Sequence, residues 1–441
     1  MENSKQSRTS KDKDGVDMFS KLPEPILHLI LSHLQGTEEV IRTSILSRRW
    51  RNLWTSVPSI DIDYSRRLNP YQGFKKNNFE EFVSRVLENN SLDLDSFRLS
   101  CANYCNMSIV KQWIDAAVKR NVKVLDLMFC IGDEYDEIEL PNSLMTCDSL
   151  EVLRLYLFGR CLHLPYRCKG FSRLRVIELN DMMLFDGGLV TDLLKKCPLL
   201  EDLKLKKLVF GEKMEMVDGD FHSSIQISCP KLVFLELTSY LGKFNFTSKG
   251  LNSLKKAVIN LNGSLPELMR RNICELFAGI SHVESLSLNP FTILKCIDAA
   301  SLPNLKTVEL RITMDDFPMD DLIQTLQQYP RLEALHLIIQ DVFSYQRRNS
   351  WQSAHLKLNE VEARRILTRH LRRVEFVEFN GENPSLLMAR SLLMYGDALE
   401  EMVFSWGDKD KYPRKSMETL KKMSKYRKAS STVKLITLLR E

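Results

Sequence analysis

Cysteine and histidine are the residues of this chain that could act as nucleophiles or bind a metal. There are ten cysteines and eight histidines. Cys101 and Cys105 stand at a spacing that two metal ligands could use, but no second pair follows at ligand spacing. A cysteine that transfers a group needs a neighbouring base, and the sequence singles none out. We therefore predict buried or loop thiols, with no metal site, no cofactor and no catalytic activity.

Two charged clusters allow a structural and a functional interpretation. Asp315-Asp316 and Asp320-Asp321 flank a predicted helix start, where carboxylates complement the helix dipole. We prefer this role over a metal site. The basic segment 421–428 is predicted to be a solvent-exposed helix face. The functional alternative is a nuclear-import signal or a nucleic-acid-binding patch.

Charge and hydropathy exclude several classes of protein. The 62 basic and 57 acidic residues leave a net charge of +5 over 441 residues, too diffuse for a strong nucleic-acid or membrane footprint. The first residues are polar and lack the apolar core of a secretion signal, and no apolar run is long enough to span a bilayer. We expect a protein of the cytoplasm, the nucleus or both, with reduced cysteines.

The elements that would position any site begin with a short helical module. Residues 1–16 are polar and are predicted to be disordered. From Asp17 onward apolar residues recur on one helical face, at Leu27, Ile30, Leu31 and Leu34. A second, short helix is predicted after an N-cap at Thr37. A third should carry the tryptophans at 50 and 54.

A different rhythm begins near residue 75. Its unit is a strand with the pattern apolar–x–x–apolar–x–apolar, then a loop and often an amphipathic helix, at spacings near those of a leucine-rich repeat. The first apolar residue of each predicted strand is its anchor. The twelve anchors are Leu94, Val122, Leu150, Leu174, Leu200, Leu232, Leu254, Val283, Leu305, Leu332, Leu371 and Leu399.

Residues at fixed offsets from these anchors support the repeat. A proline lies two residues before four of the twelve anchors. A cysteine lies three residues before three of the twelve, and a glutamate lies one residue after five of the twelve. The proline ends the preceding helix and feeds an extended chain into the strand. The cysteines, Cys147, Cys197 and Cys229, are predicted to pack under the loop. Helices predicted at 79–87, 109–118, 189–194 and 322–326 complete an alternation that gives a parallel sheet.

The run Asp17 to Leu34, with Leu22-Pro23 and Ile30-Leu-Ser-His-Leu34, and the run Leu46-Ser-Arg-Arg-Trp-Arg-Asn-Leu-Trp54 closely resemble an F-box of the plant type. The resemblance implies docking onto a Skp-type adaptor, and through it onto cullin and RING subunits. It assigns that contact to Leu22, Pro23, Ile26, Leu27, Ile30, Leu31, Val40, Ile41, Leu46 and Leu53. The alternative is that these residues form only the core of a small helical cap.

Residues 358–441 resemble the FBD domain that follows leucine-rich repeats in many plant F-box proteins. Leu371 to Gly381, Leu386 to Met394 and Ala398 to Phe404 carry the resemblance, although they could also be two late repeats. The predicted fold is α/β: a three-helix F-box at 17–64, a leucine-rich-repeat solenoid or horseshoe at 75–357, and an FBD-type α/β cap at 358–441.

Alternate residues of the predicted strands should line the concave sheet, because successive side chains of a strand point to opposite faces. The predicted substrate-binding residues of this central row are Asp126, Arg154, Glu178, Lys204, Glu236, Ser287, Glu309, His336 and Glu375, with Val258 between the fifth and sixth. The row mixes both signs of charge, which suits a protein partner better than a polyanion.

Two hypotheses about function follow. The first is the substrate-recognition subunit of a Skp–cullin–F-box ubiquitin ligase, which recruits a target protein for ubiquitination and catalyses nothing itself. The second is a leucine-rich-repeat scaffold, or a nucleic-acid-binding protein, without a ligase role. A steep salt dependence of binding to RNA or DNA would favour the second.

Overall fold

The structure is a computed structural model of the chain. It describes residues 22–67, 76–90, 92–102, 106–130, 138–163, 170–184, 188–210, 224–240, 245–248, 250–262, 274–289, 302–312, 322, 326, 329, 331–339, 370–381, 383–407 and 412–439. The chain divides into two compact units, residues 1–127 and 128–441.

The first unit opens with short helices. Helix α1 spans Glu24–Ser32 and has a proline in its first turn, where the missing N–H costs no hydrogen bond. Helix α2 spans Thr37–Arg42, and tighter 3-10 helices follow at Thr43–Ile45 and Trp50–Ser56. The predicted third helix is therefore present in 3-10 form.

These helices close around an apolar core of their own. Its buried members are Leu27, Leu31, Val40, Trp50, Leu53 and Val57. Leu22, Ile30, Leu34 and Trp54 pack against them while remaining partly exposed. The apolar face that the sequence predicts on α1 is thus used mainly inside the module.

The rest of the first unit places helices against the first strands of a parallel sheet. Strand β1 spans Ser59–Asp63, β2 Ser96–Ala102 and β3 Val124–Cys130; α3 spans Lys76–Asn89 and α4 Met107–Val118. Strands β1 and β2 are parallel and in register. Phe79 of α3 is fully buried and makes edge-to-face contacts with Tyr64 and Trp113.

Thr37 connects α2 to the edge strand of this sheet. The sequence predicts it as a helix N-cap, but Gly36 holds that position with φ +84°, and Thr37 is the first helical residue. Its hydroxyl oxygen instead accepts the backbone N–H of Asp61 at 2.8 Å. The N-cap prediction is wrong because a hydrogen bond to a residue 24 positions away takes the side chain.

The second unit is dominated by a parallel sheet with short helices. Its strands are β4 Ile138–Glu139, β5 Val152–His163, β6 Val176–Leu184, β7 Asp202–Phe210, β8 Ser224–Ile227, β9 Phe234–Tyr240, β10 Asn245–Ser248, β11 Lys256–Asn262, β12 Ser285–Leu288, β13 Thr307–Ile312, β14 Ala334–Ile339, β15 Arg373–Phe379, β16 Glu401–Trp406 and β17 Lys434–Leu439. Its helices are α5 Gly188–Lys195, α6 Asn383–Tyr395 and α7 Tyr412–Ser424, with a 3-10 turn at Leu144–Thr146.

Strand order in the second unit follows the chain. Strands β5, β6, β7, β9 and β11 to β17 are neighbours in that order, and every pair among them is parallel. Strand β4 pairs with β5, while β8 and β10 form a separate ribbon. The α/β repeat architecture predicted from the sequence is confirmed.

The predicted repeat pattern agrees with the structure strand by strand. All twelve predicted strands are present, each observed strand begins two residues after the predicted anchor, and every anchor is at most 5% exposed. Cys147, Cys197 and Cys229 are buried at their shared repeat position, as predicted. Helices α3, α4 and α5 cover the predicted segments, whereas the segment 322–326 and the acidic pairs before it lie largely outside the described residues.

Candidate docking surfaces

The helical module exposes large apolar side chains although it has a core. The exposed fractions are 42% for Ile26, 55% for Leu29, 86% for Ile45 and 62% for Leu46. We call these four the exposed apolar set. Two come from α1 and two from the 3-10 turn that follows α2. Single exposed apolar residues are ordinary, but four within about twenty positions of one module mark a surface that a partner could cover.

The ten residues that the resemblance assigns to the adaptor contact divide into two groups. Leu27, Leu31, Val40 and Leu53 are at most 7% exposed and pack in the core of the module, so an adaptor contact through them stays a prediction. They belong to the core because a module of this size must bury its most central apolar groups to fold at all. Leu22, Pro23, Ile26, Ile30, Ile41 and Leu46 are exposed or half-exposed and remain candidates.

Sequence reasoning missed two members of the exposed apolar set. Leu29 lies outside the apolar stripe formed by Leu27 and Leu31. An apolar residue outside the buried face of a helix is a sequence signal for an exposed contact, and this signal was available for Leu29. Ile45 directly precedes the F-box run that begins at Leu46, but nothing in the sequence spacing distinguishes Ile45 from a core position. Ile45 ends the 3-10 turn and Leu46 follows it, and both side chains are exposed there.

The second candidate surface is the central row of the sheet. Strand register places Arg154, Glu178, Lys204 and Glu236 side by side on neighbouring strands. The same register continues through Val258, Ser287, Glu309, His336 and Glu375. Asp126 lies in the first unit, where Arg98 stands 4.0 Å from it and 2.8 Å from Asp61.

Ser287 is the least exposed of the predicted substrate-binding residues. It is only 2% exposed, and its hydroxyl donates to Glu309 Oε1 at 2.8 Å. Val258 beside it is 8% exposed. The Ser287 hydroxyl is therefore engaged with Glu309, and a substrate contact by Ser287 stays a prediction. The other predicted members are half-exposed.

Glu178 is the centre of one group of charges in the row. Its carboxylate lies 3.8 Å from Arg154, 3.9 Å from Lys204 and 3.1 Å from Lys206. Lys206 also reaches Glu236 at 3.3 Å. Burial by itself lowers the pKa of the Lys206 ammonium, but the two carboxylates outweigh it and the net pKa is raised. Positive and negative side chains are therefore paired in this group, and it does not form a surface of a single charge sign.

Glu375 is the centre of a second group. His336 Nδ1 lies 3.3 Å from its carboxylate, the Ser405 hydroxyl donates to it at 2.7 Å, and Arg373 approaches to 3.4 Å. The hydrogen bond from His336 is the largest of the influences that lower the pKa of Glu375 to about 2. Ser405 and Arg373 act in the same direction, against burial. This carboxylate is held ionised and oriented toward its neighbours.

Two buried cysteines and the groupings of metal-ligating side chains bear on the chemistry of the described part of the chain. Burial raises the pKa of the Cys101 thiol well above its usual range and that of Cys229 to about 11, so neither is a ready nucleophile. No three His, Cys, Asp or Glu side chains among the described residues come together as metal ligands would. Within the same ranges, no helix has the length and apolar character to cross a bilayer.

Comparisons with known proteins define the class. Residues 19–61 match the F-box domain family, and residues 86–434 match the family described as the At1g61320/AtMIF1 LRR domain. An N-terminal F-box followed by a leucine-rich-repeat domain is therefore the organisation of this protein.

Relatives from Arabidopsis thaliana refine that assignment. FBD-associated F-box protein At4g13985 is 30% identical, over 76% of this chain and 80% of the relative. F-box/FBD/LRR-repeat protein At1g78750 is 28% identical over 74% and 78%, and F-box/LRR-repeat protein 13 is 35% identical over 60% of each. The chain belongs to the plant F-box/leucine-rich-repeat/FBD protein family.

Proposed function

We propose that this protein is the substrate-recognition subunit of a Skp–cullin–F-box ubiquitin ligase. Its F-box docks onto a Skp-type adaptor, which brings the cullin and RING subunits. Its repeats hold a target protein close to the ubiquitin that other subunits deliver. The protein itself needs no catalytic group in this scheme, because it acts by proximity.

The observation that carries the proposal is the exposed apolar set on a module with a complete core. Leu46 and Ile45 are 62% and 86% exposed, while Leu27 and Leu31, on the buried side of α1, are at most 1% exposed. Covering side chains of this size would be favourable by roughly 25 cal/mol per Å² of apolar surface removed from water. Helical docking of this kind uses apolar anchors on one surface of a folded module.

The central row supports a protein target. Its cations and carboxylates are already paired within the row, as around Glu178 and Glu375. A polyanion would gain few unpaired cations there, whereas a protein can match alternating charges. Arg154, Glu178, Lys204, Glu236, Glu309, His336 and Glu375 remain the proposed contacts on this row of the second unit, and Asp126 is a separate proposed contact in the first unit.

Capture of a purified Skp-type adaptor by the full chain tests the proposal. The variant Ile45→Ser with Leu46→Ser should lose capture while its thermal unfolding is unchanged, since both side chains are exposed. Met417→Ser is the matched control, because Met417 is 68% exposed on α7. Failure of the wild-type chain to capture the adaptor, or full capture by the double variant, would refute the proposal.

A salt titration separates this function from a nucleic-acid-binding scaffold. The paired row predicts weak binding of the wild-type chain to RNA and DNA at about 0.15 M salt, without a steep slope. Micromolar or tighter binding with a steep slope, together with no adaptor capture, would favour the scaffold.

A further inference from the structure

Three neighbouring strands of the second unit share an irregularity beyond the central row. Strands β5, β6 and β7 run through non-glycine residues with positive φ: Phe158 at +49°, Asp181 at +52° and Lys207 at +49°. The register shifts between Tyr156 and Arg160, which places the bulge of β5 against Asp181. Asp181 in turn lies beside Lys207, because their flanking residues pair in register.

Phe158 is the unusual member of the three. Bulky side chains rarely adopt positive φ, whereas asparagine and aspartate tolerate it. The strained residue is also 37% exposed, so packing in the core does not account for it. Its ring meets Tyr156 edge to face at 4.4 Å, and the Tyr156 hydroxyl donates to Asp181 at 3.3 Å. Backbone strain that holds an aromatic ring at the surface is typical of binding sites.

Apolar and basic groups continue from this ring along the same edge. Met183 and Val209 pair in register just after the bulges, and Val209 is 41% exposed. Lys207 is exposed on the third strand, while its neighbour Lys206 is held by Glu178 and Glu236. We call Phe158, Asp181, Lys207 and Val209 the rim.

We propose that the rim binds an extended segment of the target protein in which a bulky apolar residue and a carboxylate are three residues apart. The inference rests on the proposed function, in which the repeats hold a target. The apolar residue contacts Phe158 and the carboxylate pairs with Lys207. Asp181, between them, disfavours a second acidic residue in the middle of the segment.

The spacing follows from sheet geometry. Phe158 and Lys207 lie on β5 and β7, two strand intervals apart, which is about 10 Å. An extended chain advances about 3.3 Å per residue, so it crosses that distance in about three residues. A segment that crosses the strands also meets Val209, which can take a second apolar side chain.

Synthetic peptides provide the probe. The set consists of nine-residue glycine–serine peptides that carry one phenylalanine and one glutamate three positions apart, in both orders. Companion peptides replace the glutamate by lysine or the phenylalanine by serine. Against the full-length chain, one order of the phenylalanine–glutamate peptide should bind roughly fivefold tighter than its lysine companion, as one exposed ion pair allows. The serine companion should lose most of the binding.

Two variants locate that binding on the rim. Phe158→Gly removes the ring and relieves the backbone, so peptide binding should fall while the melting temperature is unchanged or higher. Lys207→Glu should reverse the preference toward the lysine peptide. Val233→Ser and Lys231→Glu are the controls, since Val233 is 39% exposed and Lys231 is exposed, and both precede the start of β9, whereas the rim lies in the later halves of β5, β6 and β7.

Each outcome decides the inference. Equal binding of all peptides, or equal loss in the control and rim variants, overturns it. A reversed charge preference in the Lys207→Glu variant, together with loss of peptide binding by a stably folded Phe158→Gly variant, supports the inference. Adaptor capture is measured on the same samples: peptide failure with intact capture rejects the rim alone, whereas loss of capture in the wild type rejects the proposed function.

Discussion

Lys306 Nζ lies 3.0 Å from Glu284 Oε2 on the neighbouring repeat, and the backbone N–H of Lys306 donates to the carbonyl of Glu284 at 2.9 Å. Equivalent positions, one residue before each strand of the large sheet from β5 to β16, alternate in charge except at Val233, which is neutral. The order is Glu151, Arg175, Glu201, Val233, Lys255, Glu284, Lys306, Glu333, Arg372 and Glu400. Arg175–Glu201 and Arg372–Glu400 form ion pairs at 3.5 and 3.0 Å.

This alternation predicts an unusual result for a charge swap. In an isolated ion pair, exchanging the two residues restores the attraction. Here Glu284→Lys with Lys306→Glu should be no more stable than Glu284→Lys alone, because the exchanged residues face Lys255 and Glu333 of like charge. Thermal unfolding at low salt is the measurement, and salt near 1 M should abolish the differences. Recovery of the wild-type melting temperature by the double variant would show that each ion pair between neighbouring repeats acts independently of the next.

Glu375 predicts a pH-dependent contribution to stability. Its folded pKa of about 2 is below the unfolded value of about 4.3, so the stabilisation is present above pH 4.3. It is lost as pH falls from there toward 2. Glu375→Gln should therefore lower stability at pH 7 by on the order of 1 kcal/mol, after allowance for solvent screening, and the gap to wild type should narrow by about half near pH 3 and close only around pH 2. A gap that stays constant from pH 7 to pH 3 would contradict the assigned contacts.

The F-box module should separate core from surface by mutation. Trp50 is 3% exposed, and Trp50→Ala should destabilise the module by about 3–5 kcal/mol. Leu46→Ser should change stability by less than about 0.5 kcal/mol, because the side chain is exposed. Denaturant titration followed by helical circular dichroism is the check. A surface variant as unstable as Trp50→Ala would place Leu46 in the core.

Glu178 should limit binding of polyanions to the central row. Glu178→Gln removes the carboxylate that Arg154, Lys204 and Lys206 share. Each of these three cations then loses one ion-pair partner. The variant should therefore elute from a heparin column at higher salt than the wild type. Glu201→Gln removes one charge close to the start of β7 and breaks the ion pair with Arg175, so it is the control. Equal elution of both variants would argue against the row as a charge network.

The strands of this fold could be predicted because their signal is local and repeated. A buried leucine such as Leu200 begins each unit, and a proline or cysteine a few residues earlier marks the entry of the chain. Strand β17 escaped prediction because its exposed, edge position removes the need for alternating burial: Leu438 and Leu439 are both exposed. Strand β1 escaped because it lies before the repeat rhythm begins.

The candidate sites were less predictable because they depend on which face of an element is covered. Leu27 and Ile26 are adjacent apolar residues of α1, yet one is fully buried and the other 42% exposed. The partner of Thr37, the backbone of Asp61, is 24 residues away and leaves no local sequence signal. The left-handed bulge at Phe158 contradicts its residue type, so propensity could not have found it.

Amide hydrogen exchange of the full chain, with and without a purified Skp-type adaptor, tests whether the exposed apolar set is the surface that the adaptor covers. The account predicts slower exchange on adding the adaptor in 24–32 and 43–56, which carry Ile26, Leu29, Ile45 and Leu46. It predicts no change in the strands from β12 to β14. Unchanged exchange in the helical module, or protection confined to the repeats, would contradict the account.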